Sequence, residues 1–291
     1  MRFFVVSEPM KASGLVALSA ILYGFLGYLG TRVLDQSMHI NTMLFWRFII
    51  AAGWLSLFCL KNTFLKPAPS FRNWEVVMMM FLLGAVGYAG SSGFYFVASQ
   101  YTGTGLAMVI FFSYPVLVAL ISWLLRQQKL DYKLLIILAI MMIGLILLND
   151  SSAPHMSLVG IIAGLMAATC YAFYVVGSKH FSTQMDATFL ALVVSMGSAA
   201  IFLSLSLAAG EFFIPYEMKT WIDLLALGIL ATAIPIQLML QGLKLISSLK
   251  ASIISVLEPL VTLMVGIIFL HEGFTLWQAL GGVLLLMGAM A

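Results

Sequence analysis

Long apolar runs, each about the length of a membrane crossing, recur along the whole chain. A helix of roughly 20 apolar residues spans a lipid bilayer, and the sequence offers ten such runs joined by short polar connections. No connection is long enough to hold a soluble domain, so the pattern predicts an all-α integral membrane protein with ten transmembrane helices. The predicted helices cover residues 12–34, 41–60, 74–97, 102–125, 132–149, 157–178, 186–208, 220–241, 249–270 and 274–291.

Three of these runs contain a proline, which cannot continue the hydrogen bonding of a helix. Pro115, Pro235 and Pro259 lie inside predicted helices four, eight and nine, where a missing N–H and a steric clash kink the chain. In a membrane the freed carbonyl must find another partner, so broken helices are tolerated where they face protein or a water-filled cavity. We therefore predict that these prolines mark kinks or hinges beside such a cavity.

The proline positions also indicate a repeat within the chain. Pro115 and Pro259 lie 144 positions apart, and the same shift superimposes predicted helices three to five on helices eight to ten without gaps. Five helices in each half is an odd number, so the two halves must cross the membrane in opposite directions. We therefore predict two inverted five-helix repeats, residues 1–150 and 151–291, with a solute site between them near the membrane midplane, as is typical of secondary transporters.

Composition and charge placement agree with this arrangement. Hydrophobic residues make up 63% of the chain and charged residues 9%, against about 25% charged residues in soluble domains. With the N-terminus in the cytoplasm, eleven basic residues lie at cytoplasmic ends and three toward the other side, a bias that follows the positive-inside rule. We therefore predict a multi-pass protein of the inner or plasma membrane with both termini cytoplasmic. The cytoplasmic set is Arg2, Lys11, Lys61, Lys66, Arg72, Arg126, Lys129, Lys133, Lys179, Lys244 and Lys250, and the other set is Arg32, Arg47 and Lys219.

Several short motifs, spread over nearly the whole chain, resemble those of one transporter family. They are Phe45-Trp46-Arg47-Phe48, Ala98-Ser99-Gln100-Tyr101-Thr102, Tyr114-Pro115, Leu257-Glu258-Pro259-Leu260 and His271-Glu272-Gly273. On these motifs the chain is similar to the drug/metabolite transporter superfamily, in its ten-helix EamA branch. The resemblance implies transport of small organic solutes, such as amino acids, other metabolites or drugs, mostly outward and by alternating access. The chain departs from the family pattern after helix four, where Gln127 or Gln128 replaces a common glutamate.

Glu258, beside Pro259, is a carboxylate in the middle of an apolar run, where charge costs a few kcal/mol or more unless it faces protein or water. Since such residues mark solute or ion pathways, we expect Glu258 to face a cavity, where it binds a cationic group or exchanges a proton. The alternative is a structural carboxyl that caps freed backbone amides or bonds Ser255 or Thr262 on its own helix. The repeat puts Tyr114 at the equivalent position, so we expect Tyr114 to face Glu258 across the cavity.

Further candidate contacts come from deep aromatic and polar positions. Tyr95 and Tyr171 lie deep in their predicted helices, and a buried hydroxyl needs a partner. Together with Tyr114 they predict an aromatic wall, which suits an amphipathic zwitterion or an organic cation. Gln237 and Ser92 lie on helices eight and three, where they either bind solute or serve only in helix packing. Each of these residues is therefore a candidate substrate contact with a structural alternative.

Arg47 stands roughly two turns into helix two and permits two interpretations. It can anchor a substrate carboxylate in the cavity. Its long side chain can instead reach the outer interface or pair with Asp35. We favour the second interpretation, because Arg47 lies near enough to the helix end to reach water, and keep the first as a candidate substrate contact.

Motifs for other functional classes are incomplete or missing in the sequence. His271-Glu272 begins like the zinc motif HExxH, but Thr275 stands where the second histidine is needed. The sequence also has no GxxxxGK[ST] for ATP and no GxSxG nucleophile elbow. We therefore expect no enzyme activity, no catalytic residue, no metal, no cofactor and no nucleic-acid partner. The main alternative to a secondary transporter is a passive channel, facilitator or membrane scaffold, and an integral membrane enzyme is a lesser one. Coupling to protons and a homodimer stay open.

Overall fold

Helices account for nearly every residue that the computed structural model describes, which are residues 8–65, 74–129, 131–148, 157–270, 273 and 275–290. These residues contain no strand. The helices are α1 (Glu8–Leu34), α2 (Ile40–Leu65), α3 (Trp74–Thr102), α4 (Thr104–Leu124), α5 (Tyr132–Leu148), α6 (Leu158–Ser182), α7 (Ala187–Ala208), α8 (Met218–Leu243), α9 (Ser248–Phe269) and α10 (Leu276–Met290).

Within the described residues, eight helices are long and apolar enough to cross a membrane, and α5 and α10 are shorter apolar helices. The prediction of an all-α, multi-pass membrane protein is therefore confirmed, and each helix lies within a few residues of its predicted position. The connection between α3 and α4 is a single residue, Gly103, with φ of 81°. Glycine adopts this conformation without steric cost, which permits the abrupt turn between the two helices.

α4 and α9 are each interrupted just before their prolines, as the sequence predicted. The breaks fall at residues 112–113 in α4 and 255–256 in α9. In α9 the carbonyl of Ser255 loses its usual partner, because Pro259 has no N–H. That carbonyl instead accepts a hydrogen bond from the Glu258 amide at 3.0 Å. The break therefore leaves this backbone group satisfied while it changes the direction of the helix beside the carboxylate.

α1 contains a third break, at residues 24–25, which the sequence pattern did not predict. Gly24 lies directly against α9, and a Cβ added to it would come within 2.5 Å of the Val261 Cβ. The Gly24 carbonyl accepts a hydrogen bond from Thr262 Oγ1 at 3.1 Å. This break therefore depends on a neighbouring helix rather than on a proline, and apolar periodicity carries no sign of it.

α3 and α8 each contain a π-helical turn, over Leu83–Tyr88 and Ile229–Ala233. Pro235 follows the second turn and begins the next α-helical part of α8. A π-turn moves backbone carbonyls away from their usual amide partners and often marks a functional position. In α8 the Leu227 carbonyl accepts a hydrogen bond from Thr232 Oγ1 at 2.8 Å, so the widened turn also orients a buried hydroxyl.

Helix pairs from the two halves of the chain pack in a matching pattern. α2 packs against α7, and α5 packs against α10. In the same way, α3 of the first half packs on α6 of the second, and α8 of the second half packs on α1 of the first. Two glycine contacts repeat at a spacing of 144 positions, since Gly84 lies against Val194 and Gly228 lies against Ile50. A Cβ added to Gly228 would come within 2.6 Å of Ile50 Cγ2. Small residues thus allow the close helix approach at both equivalent places.

Candidate functional site

A cavity lies between the two halves of the chain, with walls from α1, α2, α3, α4, α6 and α9. Including its opening it holds about 650 Å³ of empty space, which is within the range of small-molecule sites. About half of its lining positions are aromatic, and one cationic and one anionic side chain stand among them. The lining residues are Tyr23, Leu26, Gly27, Arg47, Tyr88, Ser91, Ser92, Tyr95, Phe96, Met108, Phe111, Phe112, Tyr171, Glu258 and Thr262.

The cavity occupies one half of the thickness of the helical bundle. Its lining positions on α1, α2, α3, α4 and α9 lie at the middle of each helix or toward the end where α1 joins α2 and α7 joins α8. Nearer the opposite end, Tyr114 and Tyr174 are each 1% exposed. The cavity therefore lies in one half of the bundle, and packed side chains close it toward the other end.

Glu258 lies in the cavity wall at the start of the second part of α9 and is partly buried. The hydroxyls on its own helix are engaged elsewhere: Ser255 Oγ donates to the Ala251 carbonyl at 3.0 Å. Thr262 Oγ1 lies 3.1 Å from the carbonyl oxygens of both Gly24 and Glu258. Both hydroxyls therefore donate to backbone carbonyls rather than to the Glu258 carboxylate, the partner that the structural alternative offered. Glu258 itself lines the cavity.

Arg47 lines the same cavity from α2 and is 2% exposed. Its Nε donates to Thr232 Oγ1 at 2.7 Å, and its guanidinium carbon lies 4.9 Å from the centre of the Phe48 ring. The guanidinium also interacts electrostatically with the Tyr88 hydroxyl and the Glu258 carboxylate. The favoured interpretation from sequence, an arginine that reaches water or pairs near the helix end, is therefore wrong. Thr232, which belongs to the second half of the chain, holds the side chain inside the bundle.

The predicted aromatic wall exists, but Tyr114 lies behind it rather than in it. Tyr95 and Tyr171 line the cavity, and the Tyr95 ring packs edge-on against Phe111 at 5.6 Å. Tyr114 contacts Tyr171 with ring centres 4.7 Å apart, and its hydroxyl donates to the Ser252 carbonyl at 3.5 Å. Tyr114 therefore supports the wall from the closed side of the cavity, because Phe111, three residues earlier on α4, occupies the wall itself.

The polar candidates on α3 and α8 differ in their placement. Ser92 lines the cavity, whereas Gln237 does not belong to its lining and donates from Nε2 to Thr188 Oγ1 of α7 at 2.8 Å. The Pro235 carbonyl accepts a hydrogen bond from Ser19 Oγ at 2.8 Å, which ties α8 to α1. The contacts of Gln237 and Pro235 are thus those of helix packing, the structural alternative for this region.

The sequence did not single out four polar wall residues, Tyr23, Tyr88, Ser91 and Thr262, as site residues. The hydroxyls of Tyr23 and Tyr88 are 2.8 Å apart, and both side chains are buried. The repeat held a signal for Tyr88, which lies 144 positions before Thr232, the partner of the buried arginine. Thr262 lies one helical turn after Glu258 and therefore shares its face of α9.

The remaining charged motif of the second half, His271-Glu272, lies outside the described residues. Among the residues that are described, no group of three or more His, Cys, Asp and Glu side chains is placed to hold a metal ion. The cavity itself offers one guanidinium, one carboxylate, several hydroxyls and an aromatic wall. These groups are suited to the recognition of charge and apolar surface on a small molecule.

Known proteins match this chain over most of its length. A model of the EamA-like transporter family matches residues 10–150 and again residues 158–291. An uncharacterized transporter of Archaeoglobus fulgidus is 30% identical over 201 residues, which are 67% of this chain and 69% of that protein. The threonine/homoserine exporter RhtA of Escherichia coli is 27% identical over 207 residues, 70% of this chain and 68% of RhtA. One crystal structure, 17% identical, shares the fold with a TM-score of 0.75 over 96% of this chain and 94% of that one.

Proposed function

This chain belongs to the EamA-like transporter family, and we propose that it is a secondary transporter of small zwitterionic organic solutes, amino acids first among them. The observation that carries the proposal is the presence of one guanidinium and one carboxylate in a single aromatic cavity. Arg47 comes from the first half of the chain and Glu258 from the second. A zwitterion supplies the complementary pair of charges at one end and an apolar part at the other.

In this binding mode, the solute carboxylate pairs with Arg47 and the solute ammonium pairs with Glu258. A planar guanidinium holds a carboxylate through two parallel hydrogen bonds, and the Arg47 terminal amino groups are the donors for them because Nε is bonded to Thr232. Tyr95 and Tyr171 contact the apolar part of the solute. An organic cation without a carboxylate would leave the buried guanidinium unpaired, which favours the zwitterion.

The chain is built as two inverted repeats, residues 1–150 and 151–291, which rock against each other around the site. Support comes from the matched packing of α3 on α6 and α8 on α1, and from the two equivalent glycine contacts. In transporters of this architecture, alternating access arises from movement of one repeat or bundle against the other. Pro115 and Pro259 follow the breaks in α4 and α9, and Pro235 follows the π-turn of α8, so these are the hinge positions.

The transport direction is outward, across the inner or plasma membrane. The bias of basic residues supports a cytoplasmic N-terminus, and in that orientation the cavity lies in the half of the bundle away from the cytoplasm. The relative in Escherichia coli is named as an exporter, which supports the same direction. One carboxylate can hold either a proton or the solute ammonium, so competition for Glu258 would couple export to the entry of protons.

Counterflow into vesicles tests this proposal. The purified protein is reconstituted with unlabelled L-threonine, L-homoserine or L-leucine inside, and entry of the labelled amino acid is followed. We expect saturable entry that depends on the internal amino acid, since counterflow requires a carrier that returns loaded. A complete absence of counterflow with every amino acid, in vesicles that contain folded protein, would remove amino acids as the substrate class.

A passive channel or facilitator is the second functional class, and the same vesicles separate it from a coupled carrier. The packed layer around Tyr114 and Tyr174 argues against a continuous pore, because both rings are almost fully buried. Entry that stays linear to high solute concentration and shows no counterflow would favour the channel. Saturable entry that a pH gradient cannot drive would favour a carrier without proton coupling.

A further inference from the structure

The two π-helical turns, one from each half of the chain, meet at the Arg47 side chain. Arg47 Nε donates to Thr232 Oγ1 at 2.7 Å, and the guanidinium interacts with the Tyr88 hydroxyl. Tyr88 is the last residue of the turn Leu83–Tyr88 in α3, and Thr232 lies in the turn Ile229–Ala233 of α8. The two residues are 144 positions apart, the spacing of the repeat. Equivalent positions of the two halves therefore act on one guanidinium.

The turn in α8 decides how Thr232 can interact with Arg47. A threonine in a regular α-helix bonds the carbonyl three or four residues earlier, but Thr232 Oγ1 donates to Leu227, five residues earlier, at 2.8 Å. A hydroxyl has one proton and two acceptor positions. Since that proton is committed to Leu227, the oxygen acts as an acceptor toward Arg47. Thr232 is 0% exposed, so bulk solvent does not reach this position.

Tyr88 restricts the guanidinium from another side. Its hydroxyl lies 2.8 Å from the Tyr23 hydroxyl, and its ring packs edge-on against Phe48 at 5.5 Å. Phe48 in turn lies under the Arg47 guanidinium at 4.9 Å. The side chain of Arg47 is therefore bounded by a hydroxyl acceptor on α8, a ring on its own helix and a hydroxyl on α3. Arg47 itself lines the cavity.

We propose that Thr232 and Tyr88 are positioning residues, which hold the Arg47 guanidinium in one orientation and present its terminal amino groups to the carboxylate of the bound solute. The role of the solute rests on the proposed function, whereas the hold on the guanidinium rests on the contacts alone. Each half of the chain supplies one positioning residue. Movement of the halves against each other therefore changes the contacts that orient the Arg47 guanidinium. The affinity of the site for a carboxylate therefore differs between the inward-open and the outward-open conformation.

Arginine side-chain NMR tests the hold on the guanidinium without any solute. The chain has five arginines, and the Nε–Hε signal of Arg47 is identified by its loss in Arg47→Gln. We expect Thr232→Val to speed hydrogen exchange at this Nε by about tenfold, the effect of losing one buried hydrogen bond, and Thr232→Ser to restore slow exchange. Tyr88→Phe is the second variant and should also speed exchange. It keeps the ring but removes the hydroxyl.

Ser195→Ala is the matched control for loss of a buried hydroxyl. Ser195 is 0% exposed and bonds the Ala191 carbonyl of its own helix at 2.8 Å, away from the cavity lining. Its removal should leave exchange at the Arg47 Nε unchanged. Equally slow exchange at the Arg47 Nε in wild type and Thr232→Val would overturn the positioning role. Exchange in Ser195→Ala that is as fast as in Thr232→Val would overturn it as well.

A pair of probes then tests the role toward the solute. L-threonine and L-threoninamide share the ammonium and the side chain, but the amide lacks the carboxylate, and their binding is compared by thermal shift. We expect wild type and Thr232→Ser to prefer L-threonine, and Thr232→Val to lose that preference. A preference that survives in Thr232→Val would overturn the inference. Failure of wild type to bind either probe would reject this solute and the proposed function for it, while the exchange rates would still decide whether Thr232 and Tyr88 position Arg47.

Discussion

The guanidinium of Arg47 and the carboxylate of Glu258 line one cavity from opposite halves of the chain. They interact electrostatically, yet Arg47 donates its close hydrogen bond to Thr232, and no ion pair between Arg47 and Glu258 is found among the described residues. Two opposite charges in an apolar protein interior cost free energy unless something compensates them. The zwitterionic solute that we propose carries both complementary charges and would compensate them together.

Replacement of the cavity carboxylate should affect transport far more than replacement of an exposed one. Glu258→Gln removes the charge with little change in shape, and we expect amino acid counterflow at low concentration to fall about 10- to 100-fold, the value of one charge-assisted hydrogen bond. Glu217→Gln is the control, because Glu217 is exposed and precedes α8. Equal counterflow in both variants would show that the cavity carboxylate does not bind the solute.

The close contact between α2 and α8 makes Gly228 sensitive to even one added methyl group. In Gly228→Ala the new Cβ would lie 2.6 Å from Ile50 Cγ2 and 3.1 Å from the Arg47 carbonyl, so the helix that carries Arg47 must shift. We expect a loss of stability of about 1–3 kcal/mol from overpacking, measured by thermal unfolding in detergent.

Gly53→Ala is the matched control for this prediction. Gly53 lies on α2, the same helix that Gly228 contacts, and a Cβ there would meet nothing within 4 Å. Alanine also has the higher helix propensity, so stability should stay unchanged or rise slightly. A similar loss in both variants would mean that the contact between α2 and α8 does not set the spacing of the helices.

An ion pair joins α1 to α8 near the end of the bundle where α1 joins α2. Arg32 contacts Asp223 at 2.8 Å, and Gln36 Nε2 donates to the same carboxylate at 2.9 Å. The Asp223 side chain is 4% exposed and that of Arg32 41%, so Asp223→Ala breaks two bonds while Arg32 can regain water. We expect a stability loss of about 1–2 kcal/mol.

The exposed pair on α1 provides the comparison for the ion pair. Glu8 and Lys11 contact each other at 2.9 Å, with side chains 67% and 54% exposed. Glu8→Ala should change the free energy of unfolding by less than about 0.5 kcal/mol, as is usual for exposed pairs. Thermal unfolding of both variants in the same detergent measures the two stability losses. Equal losses of stability in Asp223→Ala and Glu8→Ala would count against a structural role for Asp223.

Thiol labelling distinguishes the residues that line the cavity from those that only pack beside it. After replacement of Cys59 and Cys170, Ser92→Cys should react quickly with a membrane-impermeant thiol reagent, because Ser92 lies in the cavity wall. Gln237→Cys should react slowly, because Gln237 packs against Thr188 of α7. The side of the vesicle from which Ser92→Cys reacts also tests the orientation in the membrane. Fast labelling at both positions would contradict the described wall.

The sequence predicted the features that follow from local chemistry. Apolar runs predict the helices because each must match the thickness of the bilayer, and prolines predict the breaks in α4 and α9 because they lack an N–H. Glu258 was identified as a cavity residue for a similar reason, since a carboxylate at that depth needs protein or water around it. These inferences require only the residue itself and its immediate neighbours along the chain.

Features that depend on a partner helix could not be predicted in the same way. The break in α1 requires Val261 of α9 against Gly24, and the inward placement of Arg47 requires Thr232 of α8. An arginine two turns into a helix is compatible with both water and the interior until its partner is known. The π-turns have no residue signature of their own. The placement of Thr232 and Tyr88 beside Arg47 could therefore be seen only in the structure.

We propose that Arg47 binds a carboxylate and Glu258 an ammonium in one cavity. The most direct test of this proposal is the binding of L-threonine, L-threoninamide and N-acetyl-L-threonine to wild type, Arg47→Gln and Glu258→Gln, measured by calorimetry. We expect wild type to prefer L-threonine over both analogues, each by about tenfold or more. Arg47→Gln should lose only the discrimination against the amide, and Glu258→Gln only the discrimination against the N-acetyl compound. If the affinities for the three compounds stood in the same order and the same ratios in all three proteins, these binding roles of Arg47 and Glu258 would be contradicted.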